Sequence, residues 1–279
     1  MKTNPALREA HYNLNYGDFR GKLYAEIRRE AFGEDIGQNS WHTADEQDRF
    51  VTWLELSAGK KLLDVACGAG GPALRIATAS GCSVAGVDIH EKAVETAQGL
   101  AKERGLESRA EFRAADASIG FPFHDASFDA ITCIDAINHF HDRPKMLAEW
   151  ARLLKPGGRA LFTDPIVVTG PLTNSEIAVR TSAGFYLVVP RGYDELIIAE
   201  SGLHLLLAQD ITANMATIAD GRHRARAARA EALREIEGSQ SFETEQEFLA
   251  VTARLAREGR LSRFVFVAQK RQSDSNSPE

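Results

Sequence analysis

Short apolar runs alternate with helical patterns along the middle of this chain. Between the runs, apolar residues recur at helical spacing, as Ala93, Val94 and Ala97 do. Strands that alternate with helices in this way predict a parallel sheet with helices on both faces. The expected strands are 61–66, 83–88, 110–115, 128–134, 159–164, 203–208 and 263–267, with helices at 193–200 and at about 213–257 before the last strand.

No internal repeat and no low-complexity linker interrupts this pattern, so we predict one α/β domain over residues 59–270. Residues 1–58 are expected to form an N-terminal helical segment that covers the ligand site, and about 213–257 a helical insertion. Residues 271–279 contain no apolar side chain and are expected to be disordered.

The composition narrows the possible partners. The chain has 279 residues, with 33 basic and 39 acidic side chains and a net charge of −6. This balance argues against a broad face for nucleic-acid phosphates, which is usually strongly basic. Three cysteines without a close pair, no signal-peptide pattern and no membrane-spanning run lead us to expect a soluble, cytoplasmic protein with a small-molecule partner and no metal.

The strongest chemical signal is the stretch 62–72, LLDVACGAGGP, in which a strand runs into a glycine turn. Glycines there let a ligand approach the backbone, and ligands of parallel sheets bind beyond the carboxyl ends of the strands. Asp88 ends the next strand, where an acidic side chain can accept hydrogen bonds from both ribose hydroxyls. Taken alone, Gly68, Gly70 and Ala73 would also match a dinucleotide fingerprint.

Three further features separate these readings. Asp64 stands inside the first strand, Asp116 ends the third, and a Lys-Pro-Gly-Gly loop at 155–158 precedes the fifth. With these features the chain resembles the class I S-adenosylmethionine-dependent methyltransferases. The resemblance implies a Rossmann-like, doubly wound, seven-stranded sheet, mostly parallel with an antiparallel last strand. It also implies S-adenosylmethionine as cofactor and S-adenosylhomocysteine as product.

The same resemblance implies roles for individual residues. Asp64 would anchor the methionine amino group and Asp88 the ribose diol, while Ile89 would pack on the adenine and Asp116 would accept from its amino group. The remaining implied cofactor residues are backbone or glycine positions: Ala66, Gly68, Gly70, Ala117 and Cys133.

A narrower resemblance lies in the stretches 135–140, DAINHF, and 32–41, FGEDIGQNSW. Both are similar to segments of methyltransferases that act on phosphoethanolamine, on sarcosine and dimethylglycine, or on tocopherol-like rings. In the phosphoethanolamine group a histidine at this position pairs with an N-terminal tyrosine. Here His139 and Tyr16 are the matching candidates for catalysis, and Tyr24 is the weaker tyrosine. Residues 37–41 depart from that pattern, so the substrate does not carry over.

Chemistry supports a role for His139, because a neutral acceptor must lose a proton and histidine can take it near neutral pH. Trp41, Phe185 and Tyr186 are candidate walls of the acceptor pocket, with core packing as the alternative. Arg222, Arg226 and Arg229 share one helical face. That pattern favours a solvated face over a clamp for an acidic acceptor.

Two other functions remain open at this point. One is an NAD-dependent oxidoreductase built on the same glycine turn, and the other is a non-catalytic protein that binds a nucleoside. The sequence favours methyl transfer from S-adenosylmethionine to an N, O or C atom of a small molecule.

Overall fold

A mixed β-sheet forms the centre of the protein in the computed structural model, which describes residues 20–182 and 186–272. Along the sheet the strands follow the order β3-β2-β1-β4-β5-β8-β7, and the two-residue β6 pairs with β5. The strands are β1 (Lys61–Val65), β2 (Ser83–Asp88), β3 (Ala110–Ala114), β4 (Phe128–Cys133), β5 (Leu154–Val168), β6 (Val189–Pro190), β7 (Leu203–Asp210) and β8 (Leu261–Lys270).

Strand direction confirms the predicted fold class. Strands β1 to β5 pair in parallel, whereas β8 lies antiparallel between β5 and β7. The first strand lies at the point where the strand order reverses, between β2 and β4. In a parallel sheet this reversal leaves a crevice at the carboxyl ends of the strands.

Helices cover both faces of the sheet and extend beyond its carboxyl edge. They are α1 (Lys22–Phe32), α2 (Ala44–Trp53), α3 (Gly71–Ser80), α4 (Glu91–Glu103), α5 (Arg143–Leu153), α6 (Asn174–Arg180), α7 (Tyr193–Glu200), α8 (Thr212–Ala227), α9 (Ala230–Glu237) and α10 (Ser239–Arg257). The expected insertion at about 213–257 corresponds to α8, α9 and α10. None of the described helices is long and apolar enough to cross a membrane.

Local sequence explains where several helices begin. Pro72 lies in the first turn of α3, where the missing N–H costs no hydrogen bond. Asp142 caps α5, because its carboxylate accepts a hydrogen bond from the backbone N–H of Lys145 at 3.0 Å. Thr173 and Glu176 form a reciprocal capping box at the start of α6.

The fifth strand is longer than predicted, and the reason lies in the Lys-Pro-Gly-Gly loop. Pairing with β4 begins at Leu154, and the register then shifts before Ala130 meets Arg159. The loop is therefore an irregularity within β5, not a turn that precedes it. Similarly, β8 extends beyond the expected 263–267 because it pairs with β5 on one side and β7 on the other.

The core against the sheet has two parts, one on each face. Leu62 and Leu63 are adjacent and both fully buried, and they belong to different core clusters. Successive side chains of a strand point to opposite faces, so a strand covered on both sides is apolar throughout. A third cluster joins Phe32 and Trp41 to Met215 and Phe248. It packs the N-terminal segment against the helical insertion.

A buried ion triad ties the N-terminal segment to the sheet. Nη1 of Arg263 on β8 donates to both carboxylate oxygens of Glu46 on α2, each at 2.9 Å. Its Nε donates to Asp135 at 2.7 Å, and all three side chains are nearly inaccessible. Removing one member would leave an unpaired buried charge, which is strongly destabilising. The triad therefore specifies how α2 lies against the sheet.

Candidate active site

A cavity of about 450 Å³ lies at the carboxyl ends of β1, β2, β3 and β4. This volume is within the usual range for small-molecule sites. The loops after these strands form one part of its lining. The rest comes from residues 37–42, helices α2, α3, α8 and α10, the end of α6, Pro165 and Tyr186. The cavity thus joins the predicted cofactor loops to the N-terminal segment and the insertion.

Most of the predicted cofactor residues lie along this cavity. Those that line it are Asp64, Ala66, Gly68, Asp88, Ile89, Asp116 and Ala117. They come from three neighbouring strands whose carboxyl ends share one edge of the sheet. The structure therefore brings together side chains that the sequence separates by some fifty positions.

Two predicted cofactor residues do not line the cavity. The Cα of Gly70 faces α4, and a Cβ there would lie 2.6 Å from the Cβ of Ala97. With φ at +76°, Gly70 is a glycine because of helix packing and backbone conformation, not because a ligand needs room. Cys133 is fully buried in the core behind the cavity, while Thr132 and Ile134 on either side line it. The structure thus corrects the expectation that Gly70 leaves room for a ligand, and the contact expected of the Cys133 backbone carbonyl stays a prediction.

Asp88 organises the glycine loop. One of its carboxylate oxygens accepts a hydrogen bond from the backbone N–H of Gly68 at 2.8 Å. The other accepts from the backbone N–H of His90 at 2.9 Å. Each carboxylate oxygen has a second lone pair, so Asp88 keeps acceptor capacity for hydroxyl groups in the cavity. This arrangement fits the ribose diol that the resemblance assigns to Asp88.

Asp64 is a buried carboxylate that lacks a cationic partner among the described residues. Its side chain accepts a hydrogen bond from the hydroxyl of Thr132 at 2.7 Å and belongs to no ion pair there. Burial, reinforced by the charge of Asp88, raises the pKa of Asp64 to about 7. A positively charged ligand group beside it would compensate this cost. The site therefore suits the amino group of a methionine moiety.

The residues expected around adenine lie at the open side of the cavity. Asp116 is half-buried, and one of its oxygens accepts from the backbone N–H and hydroxyl of Ser118 at 2.9 and 2.6 Å. Ile89 is 48% exposed although it is apolar and lines the cavity. A flat aromatic ligand group over Ile89 would cover this exposed surface. Together these residues fit an adenosyl group.

The candidate acceptor residues line the same cavity. His139 ends a short 3₁₀ turn (Ile137–His139) after β4, and its ring centroid lies 4.7 Å from that of Tyr186. The backbone N–H of Trp41 donates to Asp135 at 2.7 Å, and its indole lies 6.2 Å from the ring of Phe248. His139, Trp41 and Tyr186 thus share one chamber with the cofactor residues.

Neither tyrosine that was expected to pair with His139 is found beside it among the described residues. Tyr16 and the pocket candidate Phe185 lie outside the described residues. Tyr24, the weaker tyrosine, does not line the cavity, and its hydroxyl donates to Glu237 at 2.7 Å. Tyr24 therefore helps to hold α1 against α9 and is corrected as a catalytic candidate.

The sequence favoured a solvated face for the three arginines of α8, and the structure contradicts this expectation. Arg222 lines the cavity and contacts Glu245 at 3.1 Å. Arg226 is buried and pairs with Glu237 at 2.6 Å, whereas Arg229 pairs with glutamates of α1. These three roles differ because α8 packs against α10, α9 and α1 through different arginines.

Sequence reasoning did not find His42, whose buried imidazole also lines the cavity. The amide of Gln47 donates to the carbonyl of Pro72 at 2.6 Å, so its oxygen accepts from Nε2 of His42 at 3.0 Å. Nδ1 of His42 then carries no proton and accepts from the hydroxyl of Ser40. Burial and the charge of Arg263 lower the pKa of His42 to about 4. His42 is therefore neutral at pH 7 and a weak base.

Other lining residues were also missed, namely Asn138, Arg180, Glu245 and Phe248. Asn138 stands beside His139 within the DAINHF stretch, and that adjacency is the signal that would have indicated it. The others lie on α6 and α10, and no local pattern distinguishes them from ordinary helical residues. In the described part of the chain, no group of three or more His, Cys, Asp or Glu side chains is placed to hold a metal ion.

Comparison with known proteins agrees with this geometry. A family model described as a methyltransferase domain matches residues 63–162. The chain is 33% identical to 27-O-demethylrifamycin SV methyltransferase of Amycolatopsis mediterranei over 201 residues, which cover 68% of this chain and 74% of that protein. It is 30% identical to phosphoethanolamine N-methyltransferase 1 of Triticum aestivum over 182 residues, or 65% of this chain and 35% of that one.

Among solved structures, the cyclopropane synthase MmaA2 of Mycobacterium tuberculosis superposes with a TM-score of 0.81 at 21% identity. The superposition covers 96% of this chain and 99% of that one, which shows a common fold. Family match, sequence relatives and the arrangement of acidic strand ends agree. The chain belongs to the class I S-adenosylmethionine-dependent methyltransferases that act on small molecules.

Proposed function

We propose that this chain methylates an oxygen or nitrogen atom of a small acceptor, and that His139 takes the proton which that atom loses. The observation that carries the proposal is that His139 lines the same cavity as Asp64 and Asp88. A base and a cofactor site that share one chamber can bring the acceptor atom in line with the transferred methyl group.

Each group has a defined task in this proposal. S-Adenosylmethionine supplies a methyl group from its sulfonium and leaves as S-adenosylhomocysteine. Asp64 and Asp88 orient it by binding its amino group and its ribose. An imidazole nitrogen of His139 accepts the acceptor proton, which restores neutrality at the methylated atom. His42 is less suited to this task because its pKa is about 4.

We also propose that the described part of the predicted N-terminal segment, residues 20–58, acts as a cover over the cofactor, with the insertion beside it. Gly37 and Trp41 line the cavity, and Trp41 is anchored through its backbone to Asp135. Burial of Trp41 against Phe248 joins this cover to α10. A covered chamber of about 450 Å³ favours a small acceptor over a nucleic acid.

The experiment compares wild type with His139→Ala and with His124→Ala, a control in which an exposed histidine outside the cavity is changed. Calorimetry measures the affinity for S-adenosylhomocysteine, and labelled S-adenosylmethionine with a pool of small metabolites measures methyl transfer. We expect His139→Ala to bind the product normally and to transfer methyl roughly 10²–10⁴-fold more slowly. An unchanged rate would remove His139 from the mechanism, and absence of product binding in wild type would refute the cofactor site.

A further inference from the structure

Arg180 is a buried guanidinium that borders the cavity without a hydrogen-bond acceptor. It is the last residue of α6 and is 3% exposed. Its Nε and Nη1 have no hydrogen-bond partner, and none of the ion pairs among the described residues includes it. A buried cation in this state lacks the compensation that buried charges usually have.

Other buried arginines of the described chain show what is missing. Arg143 contacts Asp164 and Asp194 at 2.6 and 2.8 Å, and Arg226 contacts Glu237 at 2.6 Å. The guanidinium of Arg263 likewise binds two carboxylates, as described above. Each of these arginines is neutralised by the protein itself, so Arg180 differs from them in kind.

The carboxylates near Arg180 are engaged elsewhere. Glu245 pairs with Arg222, and the oxygens of Asp135 accept from Arg263, Thr163 and the Trp41 backbone. This part of the cavity therefore holds two guanidinium groups for one carboxylate, Glu245. Burial lowers the pKa of Arg180 to about 10, although the negative groups Tyr186, Glu245 and Asp135 act in the opposite direction.

A second unpaired group lies in the same lining. Asn138 is fully buried, and neither its side-chain oxygen nor its side-chain nitrogen has a hydrogen-bond partner. It precedes His139 in the 3₁₀ turn, so its position is coupled to that of the proposed base. Buried amides are normally hydrogen-bonded, and an orphaned one beside a cavity indicates a ligand contact.

We propose that the methyl acceptor carries an anionic oxygen group, a carboxylate or a phosphate, which binds at Arg180 and Asn138. This inference rests on the proposed function, because it takes the cavity to be the acceptor site. The guanidinium already lies over the ring of Phe248, 4.5 Å from its centroid, which holds it in place before the anion arrives. Charge-assisted hydrogen bonds are strong where water is excluded. They would fix the acceptor with its reactive atom near His139.

The test uses matched probes on the protein saturated with S-adenosylhomocysteine. Benzoate is compared with benzamide, and phenyl phosphate with phenol, by calorimetry. Wild type should bind the anionic member of at least one pair more tightly, and the pair that responds distinguishes a carboxylate from a phosphate. Arg180→Gln should reduce anion affinity roughly tenfold or more and leave the neutral probes unaffected. Arg229→Gln, which changes an arginine outside the cavity, is the control.

The binding results distinguish failure of the anionic acceptor from failure of the proposed function. If wild type fails to bind S-adenosylhomocysteine, the proposed function and this inference both fail. If it binds but shows no preference for either anion, or if the preference persists in Arg180→Gln, only the anionic acceptor is refuted.

Arg180→Met adds a readout that a purely structural arginine would not give. The substitution replaces an uncompensated buried cation with an apolar side chain of similar length. We expect the ligand-free variant to melt at the same or a higher temperature than wild type while it loses anion binding. A lower melting temperature with unchanged anion affinity would assign Arg180 to packing against Phe248.

Discussion

Asp64→Asn tests how a buried, ionisable carboxylate in the cofactor site affects the free energy of unfolding and the affinity for a cationic ligand. The amide oxygen can still accept the hydrogen bond from Thr132, so shape and local bonding are preserved. What disappears is the ionisation of a group whose pKa burial raises from 3.8 to about 7. At 1.36 kcal/mol for each factor of ten, ionising Asp64 costs the ligand-free fold up to about 4 kcal/mol.

The sign of the pH dependence follows from proton binding. Between about pH 4 and pH 7 the folded protein holds a proton on Asp64 that the unfolded chain has released. Stability of the ligand-free protein therefore falls as pH rises through this window. We expect Asp64→Asn to be more stable than wild type, with a gap that grows by roughly 2–3 kcal/mol between pH 5 and pH 8. Urea unfolding of both proteins at the two pH values measures the gap.

Ligand affinity should change in the opposite direction. If the amino group of S-adenosylmethionine binds ionised Asp64, wild-type affinity should rise roughly 15-fold between pH 5.5 and pH 7 as the carboxyl group loses its proton. Asp64→Asn should bind more weakly, and its affinity should lack this rise. Calorimetry at both pH values tests this. Any protonation of the ligand affects both proteins equally and so cancels in the comparison. The role of Asp64 would be refuted if the stability of wild type and of Asp64→Asn changed equally with pH, or if their ligand affinities did.

Two further substitutions test the glycine loop and the N-terminal segment that covers it, and a third serves as a control. Asp88→Ala removes the acceptor of the Gly68 N–H and the expected ribose contact, so S-adenosylhomocysteine should bind about 10- to 150-fold more weakly by calorimetry; unchanged affinity would place the ribose elsewhere. Gly71→Ala would set a Cβ 2.2 Å from the carbonyl oxygen of Ile36, so unfolding in urea should show a loss of about 1–3 kcal/mol. Gly99→Ala, with open space around it on α4, should instead gain up to about 1 kcal/mol, and equal effects at both glycines would contradict the steric argument.

The predicted elements were largely correct because their signals are local. Continuous apolar runs indicate strands β1 and β2, and apolar residues at helical spacing indicate α4. The differences are the short elements β6 and α6, which were not predicted, and several strand ends, as in β5, where pairing with neighbours extends the strand beyond its apolar stretch. Hydrogen bonding between strands is decided by partners far along the chain, which no local pattern contains.

The glycines of the turn show the same difference between what local sequence indicates and what packing decides. Sequence spacing alone indicates that Gly68 and Gly70 belong to one turn. Their different surroundings, a cavity for Gly68 and the Cβ of Ala97 for Gly70, depend on where α4 packs. The structure also singles out Gly71, whose closeness to Ile36 lets the N-terminal segment approach α3.

By itself, the sequence determined the α/β class, the glycine turn and the acidic residues in or just after the first three strands, Asp64, Asp88 and Asp116. It could do so because parallel strands bring their carboxyl ends to one edge whatever the details of packing. The tertiary structure alone decided that Arg180 and His42 reach the same cavity. They lie on separate segments outside the parallel strands, and the angle at which helices pack depends on side chains throughout the core, so their convergence has no local sequence signature.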